Sequence, residues 1–202
     1  MRLVGRRVLH CAVAALGVAL VSGTPYSRAS VRVGPKRLAS SPAFAETRPD
    51  HVVETFELRS VNTLESVTVR YVDGVLDPAS RQQVDHVMRC LRTERAKPID
   101  PRLVDALRDI AREVGGRLDL VSGYRAPMSW HDHNYHNRGQ AADIRVPGMP
   151  ARKLRDVARK LGVRGVGWYP TTNMIHVDVR DDPYYWIDWS ASGQLGREIR
   201  TR

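Results

Sequence analysis

Apolar residues alternate from Val52 to Leu58 and again from Val67 to Val72, which is the two-residue period of half-buried strands, and Asp73-Gly74 closes the second run. The two runs read as a hairpin or meander. The period then changes. Asp77 followed by Pro78 marks a helix start, and Val84, Val87, Met88 and Leu91 recur behind it at helical spacing. Asp100-Pro101 repeats that punctuation ahead of Leu103, Leu107, Ile110, Ala111 and Val114, and Gly115-Gly116 ends the second helix. Leu118 to Val121 predicts a short strand running into the loop Ser122-Gly123-Tyr124-Arg125. The apolar stretch Ala141 to Val146 follows, and a third helix is expected over about 150–161. Gly165 to Tyr169, a turn at Pro170 to Asn173, and Met174 to Arg180 form a last hairpin. The tail Tyr184 to Ser190 is expected to pack over the sheet. Strands and helices mix without regular alternation and without a phosphate-binding glycine loop, so the expected fold is α+β, an antiparallel sheet with flanking helices.

The start of the chain has a different pattern. Arg2, Arg6 and Arg7 precede an apolar run of 14 residues, Val8 to Val21, shorter than the roughly 20 a membrane-spanning helix needs. This is the layout of a cleaved signal peptide, with Ser27-Arg28-Ala29 offering a cleavage site after residue 29 and Arg6-Arg7 a partial twin-arginine motif. Residues 30–50, rich in Ser, Pro, Arg and Ala without apolar periodicity, read as a disordered tether, which leaves 51–202 as a single domain. No stable membrane span is expected once the leader is removed. Its loss takes away four arginines and no acid, lowering the formal net charge from +10 to +6. Such a balance suits nucleic acid, anionic lipid or acidic glycan alike. Export and the lack of a recognisable binding motif argue against nucleic acid. Cys90 is the one cysteine beyond the leader, so no internal disulfide is available, and it reads as a small buried residue on a helix.

Candidate chemistry concentrates in the histidines. His131, His133 and His136 crowd into one polar segment; Asp143 follows on a predicted strand, and His176 lies on the terminal hairpin, where alternation puts Asp178 on its face. Neutral imidazoles beside ionised carboxylates suit zinc, and two His with one Asp would leave a fourth position open, as in a catalytic site. On spacing alone, a structural His-Asp hydrogen bond fits equally well. His86, among Arg and Asp on a helix, reads as solvated.

Three stretches, taken together in order and spacing, resemble the zinc D-alanyl-D-alanine peptidases, a superfamily that includes murein endopeptidases and shares the hedgehog/DD-peptidase fold. They are Ser122-Gly123-Tyr124-Arg125; His136-x-x-Gly139-x-Ala141-x-Asp143; and Gly165-x-Gly167-x-Tyr169-Pro170 running to His176-Val177-Asp178. Residues 99–190 are most similar to the YcbK-like, DUF882 branch. The resemblance implies a zinc metallopeptidase that hydrolyses peptide stems or cross-links of peptidoglycan in the periplasm or cell envelope, with zinc on His136, Asp143 and His176. It also places Arg125 in the substrate cleft, holding a carboxylate or an oxyanion, with Ser122, Tyr124 and Trp168 as further lining candidates. A carboxypeptidase, a D,D-endopeptidase and an L,D-endopeptidase all remain open, and oligomeric state is silent. Where many relatives carry a Glu three residues before the last His ligand, this chain has Asn173, and where others carry a His two residues before it, this chain has Met174. Asp178 is therefore the expected general base or, alternatively, the group that orients His176, with His133 the nearest other imidazole. Asn173 also keeps open a second reading, a non-catalytic zinc module for wall binding or signalling.

Overall fold

In the computed structural model the described residues are 51–129, 134–191, 194 and 196–201. The proposed leader and tether, and with them Cys11, lie outside them, as do His131 and His133. Nine strands make one sheet: β1 (Val53–Ser60), β2 (Ser66–Val72), β3 (Val75–Leu76), β4 (Arg117–Ser122), β5 (Ala141–Arg145), β6 (Gly165–Tyr169), β7 (Met174–Asp178), β8 (Tyr184–Asp188) and β9 (Glu198–Thr201). Their order across the sheet is β3-β2-β1-β4-β5-β7-β6-β8-β9. The helices are α1 (Pro78–Val87), α2 (Pro101–Val114) and α3 (Ala151–Lys160).

The helix starts follow the punctuation. Asp77 accepts from Ser80 N at 3.0 Å and Asp100 from Arg102 N at 3.0 Å, each filling an orphan donor of a first turn that opens on proline. Gly115, in the left-handed region at φ 101°, ends α2. α3 opens on Pro150, which has no side chain to offer, and Asn173 supplies the cap from across the fold: its Oδ1 accepts from Ala151 N at 2.8 Å.

The α+β class holds, but the sheet is mixed and not purely antiparallel. β1 pairs parallel with β4, because α1 and α2 carry the chain back before β4 is laid down. β8 pairs parallel with β6, which corrects the expectation for the tail: Tyr184 to Asp188 extends the sheet edge instead of lying over it, and β9 pairs antiparallel beyond it. Hairpin signals report only neighbours in sequence, so both parallel pairings escaped them. α1 also stops at Val87, leaving Leu91 half exposed and the buried Cys90 just past the helix.

The helices gather one core. Phe56, Leu58, Leu118, Ile144, Ile175 and Val177 share it with Val84, Leu107 and Leu154 of the helices, and most of these are fully inaccessible to solvent. A buried aliphatic side chain contributes roughly 1.5–3 kcal/mol, so this face holds the sheet in register. The alternate residues of β5 and β7 are left facing away from it.

Candidate metal centre

On β5 and β7, Asp143 is the register partner of His176, which sets their side chains next to each other on the face away from the helices. His136 arrives from the turn before β5, where Gly139 N donates to His136 O (3.1 Å) and Gln140 N to Tyr135 O (2.9 Å). A second loop clasps this turn: Asn137 Nδ2 donates to Arg125 O at 2.6 Å, and His136 Nδ1 donates to Gly123 O at 2.7 Å. All three side chains are buried, between 3% and 7% exposed.

Their inner atoms form a near-equilateral triangle. His136 Nε2 and His176 Nδ1 are 3.1 Å apart, His176 Nδ1 and Asp143 Oδ1 3.0 Å, and His136 Nε2 and Asp143 Oδ1 3.3 Å. Ligands bonded tetrahedrally to zinc at about 2.0–2.1 Å are spaced about 3.3–3.4 Å apart, so the three atoms are placed like one face of such a tetrahedron. The outer hydrogen bonds decide what the inner atoms carry. A carbonyl oxygen only accepts, so His136 keeps its proton on Nδ1 and turns a lone pair inward from Nε2. His176 Nε2 meets Asp178 Oδ2 at 3.0 Å, so a proton there leaves the lone pair of Nδ1 facing the triangle. Two nitrogen lone pairs and a carboxylate oxygen thus converge, an arrangement that could hold a metal ion between them.

Each carboxylate is paired with an arginine. Arg125 Nη2 binds the outer oxygen of Asp143, and Arg125 Nε donates to Ser122 Oγ at 2.8 Å. Arg180 grips Asp178 with Nε to Oδ1 at 2.7 Å and Nη2 to Oδ2 at 2.5 Å, while Tyr135, Tyr184 and Trp186 surround its guanidinium at 4.7, 5.0 and 5.4 Å from their centroids. Burial pushes the Asp178 carboxyl up, but the hydrogen bonds from Arg180 and His176 outweigh it and hold the pKa at about 2. Asp143 behaves likewise: burial opposes, the charges and hydrogen bonds of the two imidazoles win, and the group stays well below the usual carboxylate range. Burial lowers His136 below the ordinary imidazole value. His176 is also pushed down by burial, yet its hydrogen bonds to Asp143 and Asp178 raise it overall.

Opposite Asp178 and His176, β6 carries only glycines, Gly165 and Gly167, on this face. A Cβ on Gly165 would land on the Asp178 carboxylate, and one on Gly167 on the Trp186 indole. The bare strand lets Trp186 lean to within 5.1 Å of the His176 ring, centroid to centroid.

The triangle opens into a cavity of about 630 Å³ that Arg125, Tyr135, Tyr169 and Glu198 also line. Not every expected residue reaches it. Trp168 sits on the opposite face, with Arg155 over its ring at 4.8 Å and Trp189 at 5.9 Å, because it shares strand parity with core residue Val166. Tyr124 packs against the core and lines a neighbouring cavity, as does Ser122, which reaches the centre only by holding Arg125. Asp178 lies beside His176 but meets the nitrogen that faces away from the triangle. Asn173, in the left-handed region at φ 50°, turns to α3. Exposed His86 lies 3.4 Å from Glu65. Sequence reasoning missed Arg180, although two-residue alternation from His176 and Asp178 points to it, and missed Trp186 and Glu198, whose strands had no hairpin signal.

A family model, Peptidase_M15_2, described as peptidoglycan L,D-endopeptidase MepK, matches residues 49–182. The chain is 30% identical over 166 residues to the probable peptidoglycan L,D-endopeptidase MepK of Haemophilus influenzae, which covers 75% of this chain and 88% of that protein. It is 29% identical over 153 residues to the peptidoglycan L,D-endopeptidase MepK of Escherichia coli K12, with 68% and 82% covered.

Proposed function

The chain belongs to the Peptidase_M15_2 family, and from that premise we propose that it is an exported zinc endopeptidase cleaving an L,D bond in peptidoglycan cross-links. The observation that carries the reading is the convergence of His136 Nε2, His176 Nδ1 and Asp143 Oδ1 at mutual distances of 3.0–3.3 Å, with their outer atoms committed elsewhere. Two nitrogens and one oxygen, with no sulfur, suit zinc. When bound, a zinc ion supplies Lewis acidity, which polarises a carbonyl and lowers the pKa of a water from 15.7 towards roughly 7.

The chain's own residues do the rest. Gly123 and Asp178 fix the two imidazole tautomers from outside. Arg125 holds Asp143 so that Oδ1 points inward, and among the described residues only its Nε and Nη2 have partners, which leaves Nη1 for a substrate oxygen. Asp178 acts as the positioning partner of His176, since its carboxylate is fully buried behind the ring and locked to Arg180. Proton transfer falls to a group on the open side. Glu198 is the carboxylate besides Asp143 on the cavity wall among the described residues, and His133, outside them, is the other candidate. The non-catalytic module gains nothing from Asn173, whose capping of α3 accounts for the residue.

The substrate lies outside the cytoplasmic membrane, which agrees with the leader-like start and a periplasmic or envelope location. Among the described residues no helix is long and apolar enough to cross a membrane. The test is digestion of purified peptidoglycan by the mature protein, with mass spectrometry of the products. Expected are fragments cut at an L,D cross-link bond, lost on chelation and restored by zinc. Absence of metal-dependent fragments under any condition would sink the proposal.

A further inference from the structure

α3 packs on β6 and β7, and β8 and β9 extend the sheet beyond β6. On the helix side of this extension, Trp168 of β6 stands beside its register partner Ile187 of β8, and Ile199 of β9 is the partner of Ile187 in turn. Two-residue alternation along β8 puts Tyr185 and Trp189 on the same side. Ile199 is 59% and Trp189 54% exposed, so an aromatic and aliphatic strip reaches solvent there. Trp168 and Trp189 lie 5.9 Å apart between centroids. α3 supplies a basic rim: Arg155 stacks on Trp168 at 4.8 Å and Arg159, one turn further, on Tyr185 at 4.4 Å. Arg152 and Lys153, exposed in the first turn of the same helix, have no acidic partner among the described residues. The strip also borders the catalytic side of the molecule. Thr171 Oγ1 donates to Trp189 O at 3.1 Å, and the next two residues of the chain, Ser190 and Ala191, line the cavity of the triangle.

We infer that this strip is a second binding surface, outside the metal cavity, for an acidic glycan strand: the sugar backbone that carries the peptide stems. The inference rests on the endopeptidase reading for the class of its ligand. A pyranose ring has an apolar face of C–H groups that stacks on an aromatic ring, and a strand with carboxylates along it needs cations beside those rings. Trp168, Tyr185 and Trp189 offer the rings, and Arg152 and Lys153 the cations. Trp168 and Tyr185 are half-buried and already held beneath guanidiniums, so little side-chain freedom is left to lose on binding. Charge argues against the chain itself as the occupant. Residues 30–50 carry four basic and two acidic side chains, the sign of the strip, and a second copy in a two-fold contact would bring the same bases against it. An anionic bilayer would meet the charge as well. Continuity with the rim of the metal cavity favours instead the polymer whose stems are cut there.

The experiment uses the full mature chain with its metal and glycan strands of peptidoglycan from which an amidase has removed every stem. Such strands keep a carboxylate on alternate sugars and contain no peptide bond for the centre to cut. Calorimetry is expected to show saturable binding that weakens with added salt. Trp189→Ala should weaken it by at least about tenfold, and so should Arg152→Glu combined with Lys153→Glu, a pair of exposed positions whose change leaves the core untouched. Val75→Glu, on the distant β3, should leave it unchanged. Digestion of intact peptidoglycan should fall in the strip variants, while turnover of a sugar-free cross-linked peptide stays at the wild-type rate. Wild-type protein that does not bind the strands, or variants that bind them as well as wild type does, would overturn the surface. So would binding to vesicles of phosphatidylglycerol and phosphatidylethanolamine in place of the strands, or a parallel fall in turnover of the sugar-free peptide. Failure of the wild type to cut either substrate while it still binds the strands overturns the endopeptidase reading and leaves the surface standing.

Discussion

β5 and β7 each have two faces, and the same ten residues do unlike work on them. Towards the helices, Ala142, Ile144, Ile175 and Val177 are fully buried and make only apolar contacts; one residue along, Asp143, His176 and Asp178 are nearly as buried and make almost none. The first face gains stability from each atom it covers. The second must offset the cost of taking two carboxylates out of water, which it does with two arginines, two imidazoles and, on our reading, a metal ion. The strand backbone is what the faces share: the core fixes a register that places Asp143 opposite His176, and the centre uses that register as a ruler. Fold energy and chemistry are separated by a single residue step, so substitutions on the two faces should separate cleanly as well.

His136→Ala or His176→Ala should have the largest effect, reducing metal from about one per chain to near none and abolishing fragment release, as elemental analysis and a digestion assay would show. Unchanged metal content in both variants would break the comparison outright. Arg125→Met should lower turnover by about 10²- to 10³-fold, and Arg125→Lys should restore little of it, because a point charge cannot hold Ser122, Asp143 and substrate together. Asp178→Asn should weaken zinc affinity by roughly 10- to 100-fold, with activity recovered in excess metal. If zinc stays bound while turnover falls about 10²- to 10⁴-fold, Asp178 is a base after all. On the other face, Ile175→Ala should cost about 2–5 kcal/mol in denaturant unfolding yet leave metal stoichiometry and permissive-temperature activity as they were. Loss of metal in that variant would mean that the two faces are not independent.

Much of this was legible beforehand for a physical reason. Local spacing and two-residue alternation, both visible in a single chain, brought His136, Asp143 and His176 forward as one of two readings, and the resemblance in three ordered motifs selected that reading and added Arg125. Asp178 was placed on the correct face, but alternation does not say that its oxygen meets the outer nitrogen of His176. Trp168 was misplaced because its motif was weighed above its parity with Val166. The parallel pairing of β1 with β4 and the edge formed by β8 and β9 depend on long-range closure, which no local pattern encodes. The family match also stops at residue 182, before Trp186 closes over His176.

The empty row on β6 bears on how the protein can be altered. Replacing glycine by alanine commonly stabilises a strand by about 0.4–1 kcal/mol when the backbone allows it, by restricting the unfolded chain. At Gly165 and Gly167 the same methyl would occupy volume that belongs to neighbours, the carboxylate of Asp178 in one case and the ring of Trp186 in the other. β6 therefore serves the centre through what it withholds. Any programme of thermostabilisation that treats its glycines as slack would evict a neighbour of His176 with the smallest side chain there is, and two methyl groups, tried one at a time, would report which neighbour the metal centre needs more.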